Sequence, residues 1–359
     1  MKPAFKENQI QRIVVRGTNW VGDAVMGVPA LRRLRQLFPN AHITLVVRPW
    51  AEGLFADADF LNALITYERK SWRSVLEQAQ MWREQKFDLA VLFQNAFEAA
   101  LIPFLARVSW RIGYATDGRK ILLTHALALP PRRSAEHEIF YYLNIVREIE
   151  RMLGHPPAAV EPAYSLTVSE QRQLSAVDKL VGFGARQERI TVALCPGSIN
   201  SRAKRWPAER YAELADRLIK EQGADVLLIG SDGERDVARQ VKQHMTQQPL
   251  NLTGKTTLAE TVAILSVVDL VVTNDTGPAH IASALGRPTL VVFGPTNPLT
   301  TRPYGPSAEI IREPPDCAPC MLRDCPIDHR CMTAISVEQV YIKAESILRL
   351  ARLAAGQLA

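Results

Sequence analysis

Short aliphatic runs alternate with stretches of helical periodicity along almost the whole chain. Residues 13–15, 43–47 and 89–93 are such runs, and their lack of regular polar alternation predicts strands covered on both faces, as in a parallel sheet. Residues 24–37 repeat apolar side chains at helical spacing and contain Pro29, so a helix bent at that residue is expected. Further on, Ile139, Tyr142, Leu143, Val146 and Ile149 fall on one helical face within 136–153; Gly154 stops that helix, and Pro156 with Pro157 opens a linker. The alternation then restarts. Strands at 190–194, 225–229, 270–273 and 289–293 interleave with helices at 207–221, 234–244, 258–266 and 278–285. A last helical pattern, 337–353, has no partner assigned by the sequence.

This order predicts an α/β protein with two doubly wound, Rossmann-like domains, 1–165 and 185–335, and a C-terminal helix within 336–359. Open sheets of this kind bind ligands at the carboxyl ends of their strands, so a cleft between the two sets of ends is the expected site. The length of 359 residues suits two domains of roughly 100–200 residues each. Hydrophobic residues at 47% and charged residues at 22% exclude a disordered or coiled-coil chain. No apolar run approaches the roughly 18 residues of a membrane span. The stretch 1–11 and the short run after it lack the apolar core of a secretory signal, which places the expected location in the cytoplasm. A net charge of +6 favours acidic partners, such as nucleotides, phosphorylated glycolipids or an anionic membrane face. Nucleic acid is not expected, because no RNA-recognition, zinc-finger or helix-turn-helix pattern accompanies the charge.

Three turns between a predicted strand and a predicted helix carry candidate chemistry. Arg16-Gly17-Thr18-Asn19-Trp20-Val21-Gly22-Asp23 sets the carboxylate of Asp23 at a helix mouth, where it serves either as an N-cap or as a general base. The loop from Pro196 through Ser198, Asn200 and Lys204 to Pro207 combines Gly, hydroxyls and a lysine at a helix start, a combination that favours an anion. Asn274-Asp275-Thr276-Gly277-Pro278-Ala279-His280 repeats the arrangement, and two such turns in one domain suggest a nucleotide diphosphate. Two tempting motifs fail. Gly254-Lys255-Thr256 lacks the first glycine of a P-loop, since Pro249 stands there, and Thr257 with Glu260 reads better as a capping box. Gly182-Phe183-Gly184 has Gln187 where a dinucleotide fingerprint needs its third glycine. Cys317, Cys320, Cys325 and Cys331, with His329 nearby, leave open a structural zinc or iron–sulfur knuckle.

Several of these motifs in register resemble the ADP-heptose:lipopolysaccharide heptosyltransferases. They are Trp20-Val21-Gly22-Asp23, Gln94-Asn95-Ala96-Phe97 with Pro103-Phe104, Arg111-Ile112-Gly113, Pro196-Gly197, Lys204-Arg205-Trp206-Pro207 and Asn274-Asp275-Thr276-Gly277 with His280. The resemblance spans about 13–306 and implies a GT-B fold whose first domain binds the acceptor and whose second binds ADP-heptose. It implies inverting transfer, without metal or cofactor, to the first heptose of the lipopolysaccharide inner core. Asp23 matches the base, Lys204 the lysine on the donor phosphates, and Asp275, Thr276, Gly277 and His280 the donor loop. Ser198 and Asn200 fall where donor phosphate contacts are expected, and Glu234 where an acid holds the ADP ribose. Arg16, Asn19, Arg48 and Arg111 are candidates for the phosphates and acidic sugars of a heptosylated Kdo-lipid A acceptor. The implied location is peripheral to the cytoplasmic face of the inner membrane. A sister transferase with another acceptor and a non-enzymatic nucleotide-binding protein remain open.

Overall fold

The computed structural model describes residues 6–131, 135–156 and 161–354; residues 1–5 of the N-terminal stretch and 157–160 of the expected linker lie outside it. The chain divides into two compact units, Met1–Leu166 and Thr167–Ala359.

In the first unit the elements are β1 (Arg12–Arg16), α1 (Val21–Met26), α2 (Val28–Leu37), β2 (His42–Val47), β3 (Ala63–Thr66), α3 (Trp72–Glu84), β4 (Leu89–Leu92), α4 (Phe97–Leu105), β5 (Trp110–Tyr114), β6 (His125–Leu127) and α5 (Glu138–Met152). Six strands pair in the order β3-β2-β1-β4-β5-β6, and every pairing is parallel. The expected single helix at 24–37 is two. Gly27 separates α1 from α2, and Pro29 sits in the first turn of the second helix. A proline there has no N–H to give to the preceding turn, so the ladder breaks before it rather than bending at it.

The second unit contains α6 (Glu170–Gly182), β7 (Thr191–Cys195), α7 (Ala208–Gln222), β8 (Asp225–Leu228), α8 (Arg235–His244), β9 (Leu250–Asn251), α9 (Leu258–Leu265), β10 (Leu270–Asn274), α10 (Gly277–Ala284), β11 (Thr289–Val292), α11 (Pro298–Thr301), β12 (Ala308–Ile311), α12 (Arg330–Thr333) and α13 (Val337–Ala354). Its parallel sheet runs β12-β11-β10-β7-β8-β9, the same winding as the first. The strand order reverses between β1 and β4 in one unit and between β7 and β10 in the other. Chains leaving those neighbouring strands turn in opposite directions and open a crevice at the carboxyl edge.

The C-terminal helix finds its partner here. Val337, Val340, Tyr341, Ala344 and Leu348 of α13 pack into the core with Trp206, Tyr211, Leu214 and Leu218, and α13 lies against α7. Burying side chains of this size contributes about 1.5–3 kcal/mol each. Thr257 and Glu260 form the reciprocal capping box of α9. No helix among the described residues is long and apolar enough to cross a membrane.

Candidate active site

Asn274, the last residue of β10, ties together the two strands at which the second sheet reverses. Its side-chain carbonyl accepts from the Trp206 N–H at 3.0 Å and the Tyr211 hydroxyl at 3.1 Å, while its amide donates to the Pro196 and Gly197 carbonyls at 2.8 and 3.3 Å. All these groups are buried, so each bond avoids leaving a desolvated polar atom unpaired. The loop after β7 is thereby fixed against the loop after β10. Lys204, in a single turn of 3₁₀ helix, donates to the Asp275 carboxylate and to the Asp275 carbonyl, both at 3.0 Å. Asp275 is buried, and Thr296 also donates to its carboxylate at 2.6 Å. Thr276 is the residue before α10, which begins at Gly277 with Pro278 in its first turn. An ammonium held beside a helix N-terminus therefore stands where a phosphate is favoured both by the lysine charge and by the helix dipole.

Ser198 is buried and its carbonyl accepts from Arg205 at 2.7 and 3.1 Å, whereas Asn200 is exposed. His280 is buried on α10. Glu234 reaches the same edge from the turn after β8. One carboxylate oxygen closes a capping box with Ser231, at 2.7 Å from its N–H and 2.8 Å from its hydroxyl. The other faces Gly197, where a Cβ would run into the carboxylate. Any side chain at 197 would thus force Glu234 out of this position. Burial, together with the Glu234 charge, pushes the thiol of Cys195 far up, so that cysteine is no nucleophile. Lys204, Asp275, Thr276, Gly277, Ser198 and Glu234 share the carboxyl edge of one sheet, with Thr296 added by the loop after β11. Thr296 went unread in the sequence, although Pro295-Thr296-Asn297-Pro298 follows a predicted strand as the other site loops do.

In the first unit Asp23 is the third residue of α1, whose N-cap is Trp20, so it is not the capping residue. Asn19 accepts from Arg48 at 3.1 Å, and Arg48 also pairs with Glu68 at 3.5 Å, which gathers the ends of β1, β2 and β3. Arg16 is only 1% exposed; it donates to the Val46 carbonyl at 3.2 Å and lies over the Tyr67 ring at 5.4 Å. Burial lowers its pKa to about 10. Arg111 stands apart from these residues. It is the second residue of β5, at the amino end of the sheet, and donates to the Leu122 carbonyl at 2.7 Å. The sequence reading missed Arg119, which is fully buried beside the loop after β4 and donates to the Tyr114 carbonyl at 2.8 Å and to Asn95 at 3.0 Å. Asn95 in turn donates to the Tyr141 hydroxyl at 2.7 Å. Asn95 and Tyr141 lie far from Arg119 along the chain, so no local pattern joins the three.

The four clustered cysteines are free thiols, and among the described residues no group of three or more His, Cys, Asp or Glu side chains is placed to hold a metal ion. Burial, reinforced by the neighbouring Cys320, Cys325 and Cys317, raises Cys331 to about 11. Their segment acts as a brace. Ala203 donates to the Arg323 carbonyl at 2.9 Å, the His329 ring nitrogen lies 2.6 Å from the Ala203 carbonyl, and Met321 donates to the Pro295 carbonyl at 2.9 Å. The turn bearing Lys204 and the loop bearing Thr296 are both anchored to it.

Residues 75–330 match glycosyltransferase family 9 (heptosyltransferase). Lipooligosaccharide heptosyltransferase 2 of Haemophilus influenzae is 31% identical over 310 residues, covering 84% of this chain and 88% of the relative. Lipopolysaccharide heptosyltransferase 2 of Escherichia coli is 31% identical over 320 residues, with the same coverage of both chains. The structure of E. coli ADP-heptose lipopolysaccharide heptosyltransferase II superposes with a TM-score of 0.82 at 27% identity, covering 95% of this chain and 100% of that one.

Proposed function

This chain belongs to glycosyltransferase family 9, the heptosyltransferases, and we propose that it moves L-glycero-D-manno-heptose from ADP-heptose to the first heptose of the lipopolysaccharide inner core. The observation that carries the donor half is the Lys204–Asp275 pair at the start of α10. Cleavage of the sugar–phosphate bond leaves negative charge on ADP. A lysine and a helix N-terminus fixed beforehand stabilise that charge more in the transition state than in the ground state. Asp275 holds the ammonium in position before the donor arrives. Glu234, its second oxygen kept against Gly197, is assigned to the ribose hydroxyls, and Ser198, Asn200, Thr276, Gly277 and His280 to the rest of the donor.

Asp23 is the proposed base for the acceptor hydroxyl. Carboxylates are weak bases, so its proton transfer is expected late, as the oxygen bonds to the anomeric carbon. Arg48, held by Asn19, is the basic side chain assigned to the acceptor; Arg16 acts behind it by fixing the strand ends. We assign inversion at the anomeric carbon and no requirement for a divalent ion, since Lys204 and α10 supply the positive charge that the leaving group needs. The acceptor, a heptosylated Kdo-lipid A, sets the place of work at the cytoplasmic face of the inner membrane. The test is turnover in EDTA with the anomeric configuration of the product read by NMR. Full activity and an inverted centre support the reading, whereas loss of activity restored by a divalent ion, or a retained centre, refutes its mechanism.

A further inference from the structure

The helix α4 is apolar on the outside as well as the inside. Ala99, Ala100, Ile102 and Pro103 are buried, yet Phe97, Phe104 and Leu105 are exposed and Leu101 half-buried, in an i, i+4, i+7, i+8 stripe. A surface helix ordinarily turns charged residues outward. Among the residues of α4 the only charged side chain is Glu98, and it is paired with Arg69 at 3.4 Å. The stripe continues on both sides. On α3, packed beside α4, Trp72 is 61% and Leu76 59% exposed. On the turn Arg119–Leu122, packed on the other flank, Ile121 is 82% exposed.

Cations border this surface. Arg69 lies over the Trp72 ring at 5.0 Å and Arg111 over the Phe104 ring at 5.6 Å. Lys70, Arg107 and Lys120 are exposed around them, as is Arg73, which pairs with Glu77 at 2.9 Å. Aromatic and aliphatic side chains ringed by basic ones match the acyl boundary and the negative headgroups of an anionic bilayer.

We propose that α4, the first turns of α3 and the Lys120–Ile121 turn together dock the protein on an anionic lipid bilayer. Phe104, Leu105 and Ile121 enter the interface, and Arg107, Lys120, Lys70 and Arg73 lie among the headgroups. Its purpose, delivery of a membrane-held acceptor, rests on the function proposed above; its test does not.

The full chain is sedimented with vesicles of phosphatidylethanolamine and phosphatidylglycerol, or of phosphatidylcholine alone, without donor or acceptor. Binding is expected to the anionic vesicles and to fall with added salt. The variants Phe104→Ser/Ile121→Ser and Arg107→Glu/Lys120→Glu should each lose about tenfold or more in affinity, with an unchanged unfolding temperature. Variants that bind as the wild type does, or a wild type that ignores anionic vesicles, overturn the proposal. So does a self-association that the first variant abolishes while vesicle binding persists, since the face then belongs to a second copy. Absent turnover with intact vesicle binding would count against the proposed reaction and not against this surface.

Discussion

Lys204 answers to two demands at the residue scale, being close enough to Asp275 to be held and placed at the α10 terminus to meet a phosphate. Lys204→Ala is therefore expected to weaken ADP-heptose binding and to slow the chemical step together, each by about tenfold or more. Unchanged donor affinity in calorimetry and unchanged kcat would remove it from the site. Asp23→Asn should lower kcat by about a hundredfold or more while donor affinity stays within twofold, as loss of a general base does. Retained turnover in the purified variant would end that assignment. Gly197→Ala forces Glu234 away from its place, so the donor KM should rise several-fold with little change in kcat; an unaltered KM would show that Glu234 does not hold the donor. Asp23, Lys204 and Asp275 could be proposed from sequence because each lies in a loop containing glycine or proline between a predicted strand and a predicted helix. Arg119 and Tyr141 could not be, since burial and long-range hydrogen bonds rather than local spacing define them.

Elements were legible in proportion to their burial. The central strands β1, β4, β7 and β10 are nearly or fully buried, and their aliphatic runs announced them. Strands β3 and β12, at the sheet edges, are half-exposed, and β9 has two residues, too few for any periodicity. Helix α6 was left unassigned between the two expected domains, although Ala176 and Leu180 bury one face. Helix α7 shows how an element is fastened. Its Asp216 accepts from the Thr246 N–H and hydroxyl, both at 2.7 Å, and from the Gln247 N–H at 2.8 Å. Burial raises the pKa of this carboxyl, but those bonds outweigh it and the net shift is downward. A depressed carboxyl stabilises the fold above its unfolded pKa and loses that contribution as pH falls through the folded value. Asp216→Asn should then cost about 2 kcal/mol at pH 7 in urea unfolding, with the gap narrowing below about pH 4. A gap independent of pH would contradict this account of the fastening.

For the whole molecule, repeated winding gives two carboxyl edges with different equipment. One sheet presents a lysine, a helix terminus and a carboxylate, proposed here to take the nucleotide sugar, and the other presents Asp23 with the Asn19–Arg48 pair. The first arrangement could be proposed from sequence because both of its loops repeat one local grammar, whereas the proposed acceptor side depends on side chains gathered from three strand ends. The most direct measurement is the mass of a heptosylated inner-core acceptor after incubation with the purified protein and ADP-heptose, with ADP release followed in parallel. The account predicts one added heptose and ADP release that depends on the acceptor. ADP release without acceptor, or an acceptor of unchanged mass while one lacking the first heptose is extended, would contradict it.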